Sequence, residues 1–194
     1  MEPERPTRPD WDRLFEVASA QEGLFTSKQA AEAGYSAQLL VHHVHAGRVV
    51  RVRHGIYRLV HFPAGDHEDL LALWLWSGGA GVLSHETALA LHGLSDVLPA
   101  KVHLAVPAGW ARRRLRVPPG VVLHHADLPA EARTWFGAVP TTTVARTLND
   151  CAASGLSPEL LGQAARQALR RGLVARAQLA AVAEALAPFG GIAA

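Results

Sequence analysis

The order of the elements between residues 26 and 59, TSKQAAEAGYSAQLLVHHVHAGRVVRVRHGIYRL, constrains this chain more than any other feature. Thr26 and Gln29 have the capping-box spacing that starts a helix, and Gly34 stops that helix within two turns. Ser36 is a fresh N-cap two residues later, and the helix it opens, AQLLVHHVHA, ends at Gly47. His54-Gly55 then separates two β-rich runs, a pattern that predicts a hairpin closed by a two-residue type I′ turn. Two short helices joined by a tight glycine turn and followed at once by a hairpin make a winged helix-turn-helix plan.

That turn sets an expected register. Arg53 faces Ile56, Val52 faces Tyr57, Arg51 faces Arg58 and Val50 faces Leu59. Alternation then puts Val50, Val52, Tyr57 and Leu59 on an apolar face, with Arg51, Arg53, Arg58 and Ile56 on the other. Like charges directly opposite each other destabilise a ladder, so Arg51 beside Arg58 implies a polyanionic partner. Between Glu32 and Asp66 there is no acidic residue, whereas the interval holds Arg48, Arg51, Arg53, Arg58 and five histidines. On the second helix of the motif, Ala37, Leu40, Val41 and Val44 share one arc and are expected to pack inward. Gln38, His42 and His45 then point outward with Leu39 and His43 beside them, a polar face suited to a major groove.

Overall composition is that of a globular protein, 49% hydrophobic and 19% charged, with a formal net charge of only +2. The distribution of charge therefore matters more than its total. A single cysteine, Cys151, excludes an internal disulfide and a cysteine-rich zinc site. The first ten residues, MEPERPTRPD, contain no apolar stretch, and no run approaches the roughly 18 apolar residues that span a bilayer, so a cytoplasmic, membrane-free protein is expected. Residues 1–10 read as a flexible leader. Trp11, Leu14, Phe15 and Ala18 mark a first helix, and the winged helix occupies 11–62.

A second domain is expected over 66–190. HEDLLALWLWS and SHETALALHGL read as helices, the second N-capped by Ser84, while KVHLAVP, VVLHHAD and FGAVP read as strands. Three helices follow Pro140: TTVARTLNDCAAS, PELLGQAARQALRRG and ARAQLAAVAEALA. The fold class is thus α+β, with a winged helix-turn-helix followed by a mixed α+β domain that ends in helices.

Catalytic readings fare poorly. Ser84, His85 and Glu86 are consecutive on a helix, about 100° apart, and cannot form a relay. Gly78, Gly79 and Gly81 fit no phosphate-loop pattern, and the strands lack the acidic pair with a lysine that a nuclease needs. His42 and His45 are spaced i, i+3 without a neighbouring carboxylate or cysteine, which favours DNA contacts over metal ligation. No enzyme activity, cofactor or metal is expected. The candidate DNA-binding residues are Lys28, Gln38, His42, His43, Arg48, Arg51, Arg53 and Arg58. The densest charge run, Arg112, Arg113, Arg114 and Arg116, is a possible second contact with nucleic acid or an acidic partner.

Several segments resemble the AbiEi antitoxin family of abortive-infection, type IV toxin-antitoxin systems. They are GLFTSKQAAEAGYS at 23–36, AGRVVRVRHGIYRL at 46–59, SHETALALHGL at 84–94, VHLAVP at 102–107 and VPTTTVARTLNDCA at 139–152. The resemblance implies a winged helix that binds inverted repeats in its own promoter as a repressor, alone or as a pair. It also implies a C-terminal domain that counteracts a nucleotidyltransferase toxin. It places the family's basic wing on Arg48, Arg51, Arg53 and Arg58, and its glycine-hydrophobic-tyrosine motif on Gly55, Ile56 and Tyr57. The alternatives are a stand-alone, ligand-sensing transcription factor and a nucleic-acid-processing enzyme targeted by its winged helix.

Overall fold

A computed structural model describes residues 8–192. The chain divides into two compact units between Gly79 and Ala80. Of the expected leader, residues 1–7 lie outside the described residues, while Asp10 is engaged: its side chain caps the first helix at Arg13 N, 3.0 Å away, and its amide donates to Ala33 O.

The first unit begins with α1 (Trp11–Ser19), which buries Leu14 and Ala18 and leaves Trp11 and Phe15 at the surface. Glu22 and Gly23, both at positive φ, turn the chain into a short strand, β1 (Leu24–Thr26). Helix α2 (Ser27–Glu32) follows, and its capping box forms as its sequence requires. The Gln29 amide donates to Thr26 Oγ1 at 3.1 Å, and the Thr26 amide donates to Gln29 Oε1 at 2.8 Å. Thr26→Ala should therefore cost about 1 kcal/mol of unfolding free energy, measurable in a urea titration with an unchanged m-value. Ser36 caps α3 (Ala37–His45) through Leu39 N.

Strands β2 (Val49–Arg53) and β3 (Ile56–Leu59) form the wing, and β1 joins them in the order β1-β3-β2, all antiparallel. One face of this sheet contributes Phe25, Val49 and Leu59 to a core with Leu14, Ala30, Tyr35 and Leu40. The other face, which carries Leu24 and Arg58, is covered by α4 (Glu68–Trp76), packed on β1 and β3. Helix α4 thus belongs with the winged helix rather than with the second unit. Its apolar residues run almost all the way round, Leu70 through Leu73 and Leu75 being buried, so it is a core element.

The second unit holds a five-stranded mixed sheet built from β4 (Val82–Leu83), β5 (Val102–Val106), β6 (Val121–His125), β7 (Arg133–Phe136) and β8 (Val139–Thr142), in the order β6-β5-β4-β8-β7. Strand β5 runs parallel to β6 and antiparallel to β4, and β4 runs parallel to β8. The segment FGAVP, expected as one strand, is instead the tip of the β7–β8 hairpin, with Phe136 paired to Val139 across a turn in which Gly137 takes φ +56°. Helix α5 (His85–Leu91) follows β4 directly, while α6 (Val144–Ala153), α7 (Pro158–Arg170) and α8 (Ala180–Leu186) end the chain. Their core includes Leu89, Leu148, Cys151, Leu161, Ala165 and Val182. Burial there pushes the Cys151 thiol up to about 12, so it is a packing residue and not a nucleophile. Among the described residues, no helix is long and apolar enough to cross a membrane.

Candidate functional site

The helix-turn-helix presents α3 with one side free of the core. Leu40 is buried and Leu39, His43 and Val44 are partly buried, so the inward arc is rotated by about one position from the one expected. The reason is Tyr35, which is buried just before the helix and draws the His43 ring against its own at a centroid distance of 5.6 Å. Burial and the neighbouring Arg48 hold the His43 imidazole below its usual pKa, and its Nδ1 is enclosed without a hydrogen-bond partner. His43, a candidate DNA-binding residue in the sequence, is therefore turned partly into the core. Val41, expected inside, is 53% exposed. The exposed side of α3 comprises Ala37, also expected inside, with Gln38, Val41, His42 and His45. Gln38 suits adenine, and a valine methyl suits the methyl group of thymine.

The wing departs from its expected register. Arg53 pairs with Ile56 as anticipated, but a bulge at Val52 follows, so that Arg51 faces Tyr57, Val50 faces Arg58 and Val49 faces Leu59. Gly55 takes φ +73° while His54 does not enter the positive region, so the turn is not type I′. A bulge and an altered turn are coupled, because each changes the local twist that the other must match. Arg51 therefore never meets Arg58, and the like-charge argument for a polyanionic partner does not hold at that pair.

The two arginines have separate fates. Arg58 lies on the face beneath α4, where Nε is 2.5 Å from Glu68 Oε2 and Nη1 donates to Phe62 O, and it is only 16% exposed. It belongs to the structural interior. Arg51 is exposed, with Nη2 2.8 Å from His54 Nδ1, an imidazole nitrogen that accepts from the guanidinium. Arg48 is exposed and Arg53 half-buried. Among the described residues none of these three pairs with a carboxylate, unlike Lys28, whose Nζ lies 3.9 Å from Glu32 on the outer side of α2. Gln38, Val41, His42 and His45 are thus exposed on the helix, and Arg48 and Arg51 are exposed in the segment that follows it, with Arg53 half-buried.

In the second unit, Arg112, Arg113, Arg114 and Arg116 are all exposed along an irregular stretch after a 3₁₀ turn at Ala108–Arg112. Arg113 lies over the Trp110 ring, its guanidinium carbon 4.8 Å from the centroid. The other three arginines are solvated.

A second grouping combines residues far apart in sequence. His85, His103 and His124 each bring a ring nitrogen into a cluster whose candidate ligand atoms all lie within 4.8 Å of one another. His103 Nδ1 is 3.0 Å from His124 Nε2, and the His85 ring stacks on His124 at a centroid distance of 3.5 Å. The Ser84 hydroxyl, expected as a helix cap, instead lies 3.0 Å from His85 Nδ1, and no side-chain cap bond forms. Desolvation lowers the pKa of all three rings, that of His85 to about 3. Sequence reasoning weighed His85 only against its chain neighbours. The signal it missed was the alternation in KVHLAVP and VVLHHAD, which puts a histidine of each strand on the same side.

Comparison with known proteins adds three findings. No curated protein matches the chain. Among solved structures it is similar to the RV2827C protein from Mycobacterium tuberculosis, at 16% sequence identity and a TM-score of 0.41, over 97% of this chain and 82% of that one. Residues 12–60 match the family described as "Transcriptional regulator, AbiEi antitoxin". That match covers α1 through β3 in full apart from Trp11, so it is the winged helix-turn-helix segment of this chain that is similar to the AbiEi antitoxin family of transcriptional regulators.

Proposed function

We propose that the chain is a DNA-binding transcriptional regulator and antitoxin of a type IV system, which represses its own promoter through inverted repeats and counteracts a nucleotidyltransferase toxin. The observation that carries this reading is the uncovered side of α3 beside a wing whose Arg48 and Arg51 are exposed without carboxylate partners. Helix α3 enters the major groove, where Gln38, Val41 and His42 meet base edges, while Arg48, Arg51 and Arg53 grip flanking phosphates. A module of this size contacts little DNA, so two copies share an inverted repeat. DNA contact resides in the unit that ends at Gly79, and toxin counteraction in the unit that follows, whose four exposed arginines offer an acidic partner a surface.

Fluorescence anisotropy on the chain's own promoter fragment, beside a shuffled duplex of equal length, tests the first half. The promoter is expected to bind at least 100-fold more tightly, within the usual range of specificity ratios. Gln38→Ala should reduce that preference by about 1–3 kcal/mol while leaving shuffled-duplex binding unchanged. Equal affinity for both duplexes in the wild type would sink the regulator reading. Co-expression with the neighbouring nucleotidyltransferase gene tests the second half, with restored growth as the expected result.

A further inference from the structure

Strands β5 and β6 are paired so that His103 stands opposite Val122 and Ala105 opposite His124. Both histidines therefore project from the same side of the sheet, staggered by two residues. The third ring arrives from β4: the Ser84 amide donates to His103 O at 3.0 Å, and His85, the next residue, begins α5. Three segments separated by about 20 residues each thus converge, His103 and His124 on strands of one sheet and His85 at the head of the helix that follows β4. Rings on rigid elements can present a fixed constellation of nitrogens.

The geometry fits one kind of occupant. An ion with zinc-to-nitrogen bonds of about 2.0–2.1 Å in tetrahedral array keeps its ligand nitrogens roughly 3.3 Å apart. The His103 and His124 nitrogens already stand at 3.0 Å and the whole cluster fits within 4.8 Å, so the spacing is near that of the array, and the His85 ring, now stacked on His124, must turn to aim its nitrogen at the shared centre. Ser84 Oγ engages Nδ1 of His85, the kind of outer contact that orients a ligating imidazole. His85 has φ +50°, a left-handed conformation uncommon outside glycine, and the fold maintains it at this position. His103 and His124 are only partly buried, which leaves solvent access on one side.

We propose that His85, His103 and His124 form a three-histidine site for a divalent zinc ion, with the fourth coordination position open to water or a small anionic ligand. Imidazole-only donor sets favour zinc and its neighbours in the transition series over magnesium or calcium. The site is independent of the DNA-contact surface assigned above, so neither reading depends on the other.

The full-length, chelator-treated protein is titrated with zinc chloride by calorimetry and with cobalt chloride by visible absorption. One equivalent of zinc per chain is expected, with a Kd of about 1 μM or tighter by comparison with ordinary protein–ligand affinities, and a cobalt ligand-field band of tetrahedral intensity. His103→Gln and His124→Asn should each weaken zinc binding at least 100-fold. A His42→Asn/His45→Asn variant should bind zinc like the wild type. Imidazole nitrogen NMR of the wild-type protein, which requires no variant, should show zinc perturbing three histidines with one ion. The proposal is overturned if neither metal binds stoichiometrically, if His103→Gln retains wild-type affinity, if the NMR perturbation falls on other histidines, or if His42→Asn/His45→Asn abolishes binding.

Discussion

Replacing Arg51 and Arg53 together by alanine is expected to weaken promoter binding by about 100-fold at low salt, on the basis of roughly 1.5 kcal/mol for each charge-assisted contact. The argument is electrostatic. Each arginine on a phosphate releases condensed counterions, and the logarithm of affinity falls with the logarithm of salt by about 0.9 per phosphate neutralised on B-DNA. The double variant should therefore show a slope shallower by about 1.8, with the preference for promoter over shuffled duplex largely retained. Arg51 is exposed with its guanidinium on His54, so Arg51→Ala alone should leave the core intact, with a melting temperature within about a degree or two of the wild type. An unchanged slope would show that the wing does not touch the backbone. A lost preference at constant slope would move base readout from α3 to the wing.

Arg58→Ala should behave in the opposite way, with an expected loss of roughly 2–3 kcal/mol of folding stability and no change in salt slope per folded molecule. Its guanidinium is held by Glu68 at 2.5 Å under α4, with the two side chains 16% and 21% exposed. Removing one partner of a nearly enclosed ion pair strands the other charge, which costs more than the pair contributes. Residual exposure moderates the figure below the 3–5 kcal/mol of a fully buried pair. Arg58→Ala combined with Glu68→Ala should be less destabilised than the sum of the two single variants, because neither charge is then left alone. Additive losses in chemical denaturation would mean that the two residues are not coupled. Glu68→Gln alone, with normal DNA affinity at a lower melting temperature, would confirm that the pair serves the fold.

The features legible in the sequence share a short range. The capping box at Thr26, the Ser36 cap and the glycine stops at Gly34 and Gly47 depend on residues within four positions, so the helix-turn-helix could be read directly. The lengths of α6 and α7 follow from the same kind of local pattern. What could not be read depended on partners distant in the chain. The bulge at Val52 answers to a sheet that includes β1, too short to announce itself, and to α4 on the far face. Arg58 looked like a wing cation because Glu68 is ten residues away and on another element. The rotation of α3 followed from Tyr35, a neighbour in sequence but one whose burial only the assembled core determines. The histidine cluster needed the parallel pairing of β5 with β6, which no pattern within either strand specifies.

The three residues of β1 have an effect larger than their length. They pair with β3 at Arg58, Tyr57 and Ile56, and the amide of Ser27, at the head of α2, donates to the carbonyl of Gly55 in the hairpin turn at 2.8 Å. The ribbon is thereby tied to the first helix of the helix-turn-helix, as well as to the strand that precedes it. In the DNA-binding mode proposed above, such a tie resists flexing, so inserting one base pair between the bases assigned to α3 and the phosphates assigned to the wing is expected to weaken binding.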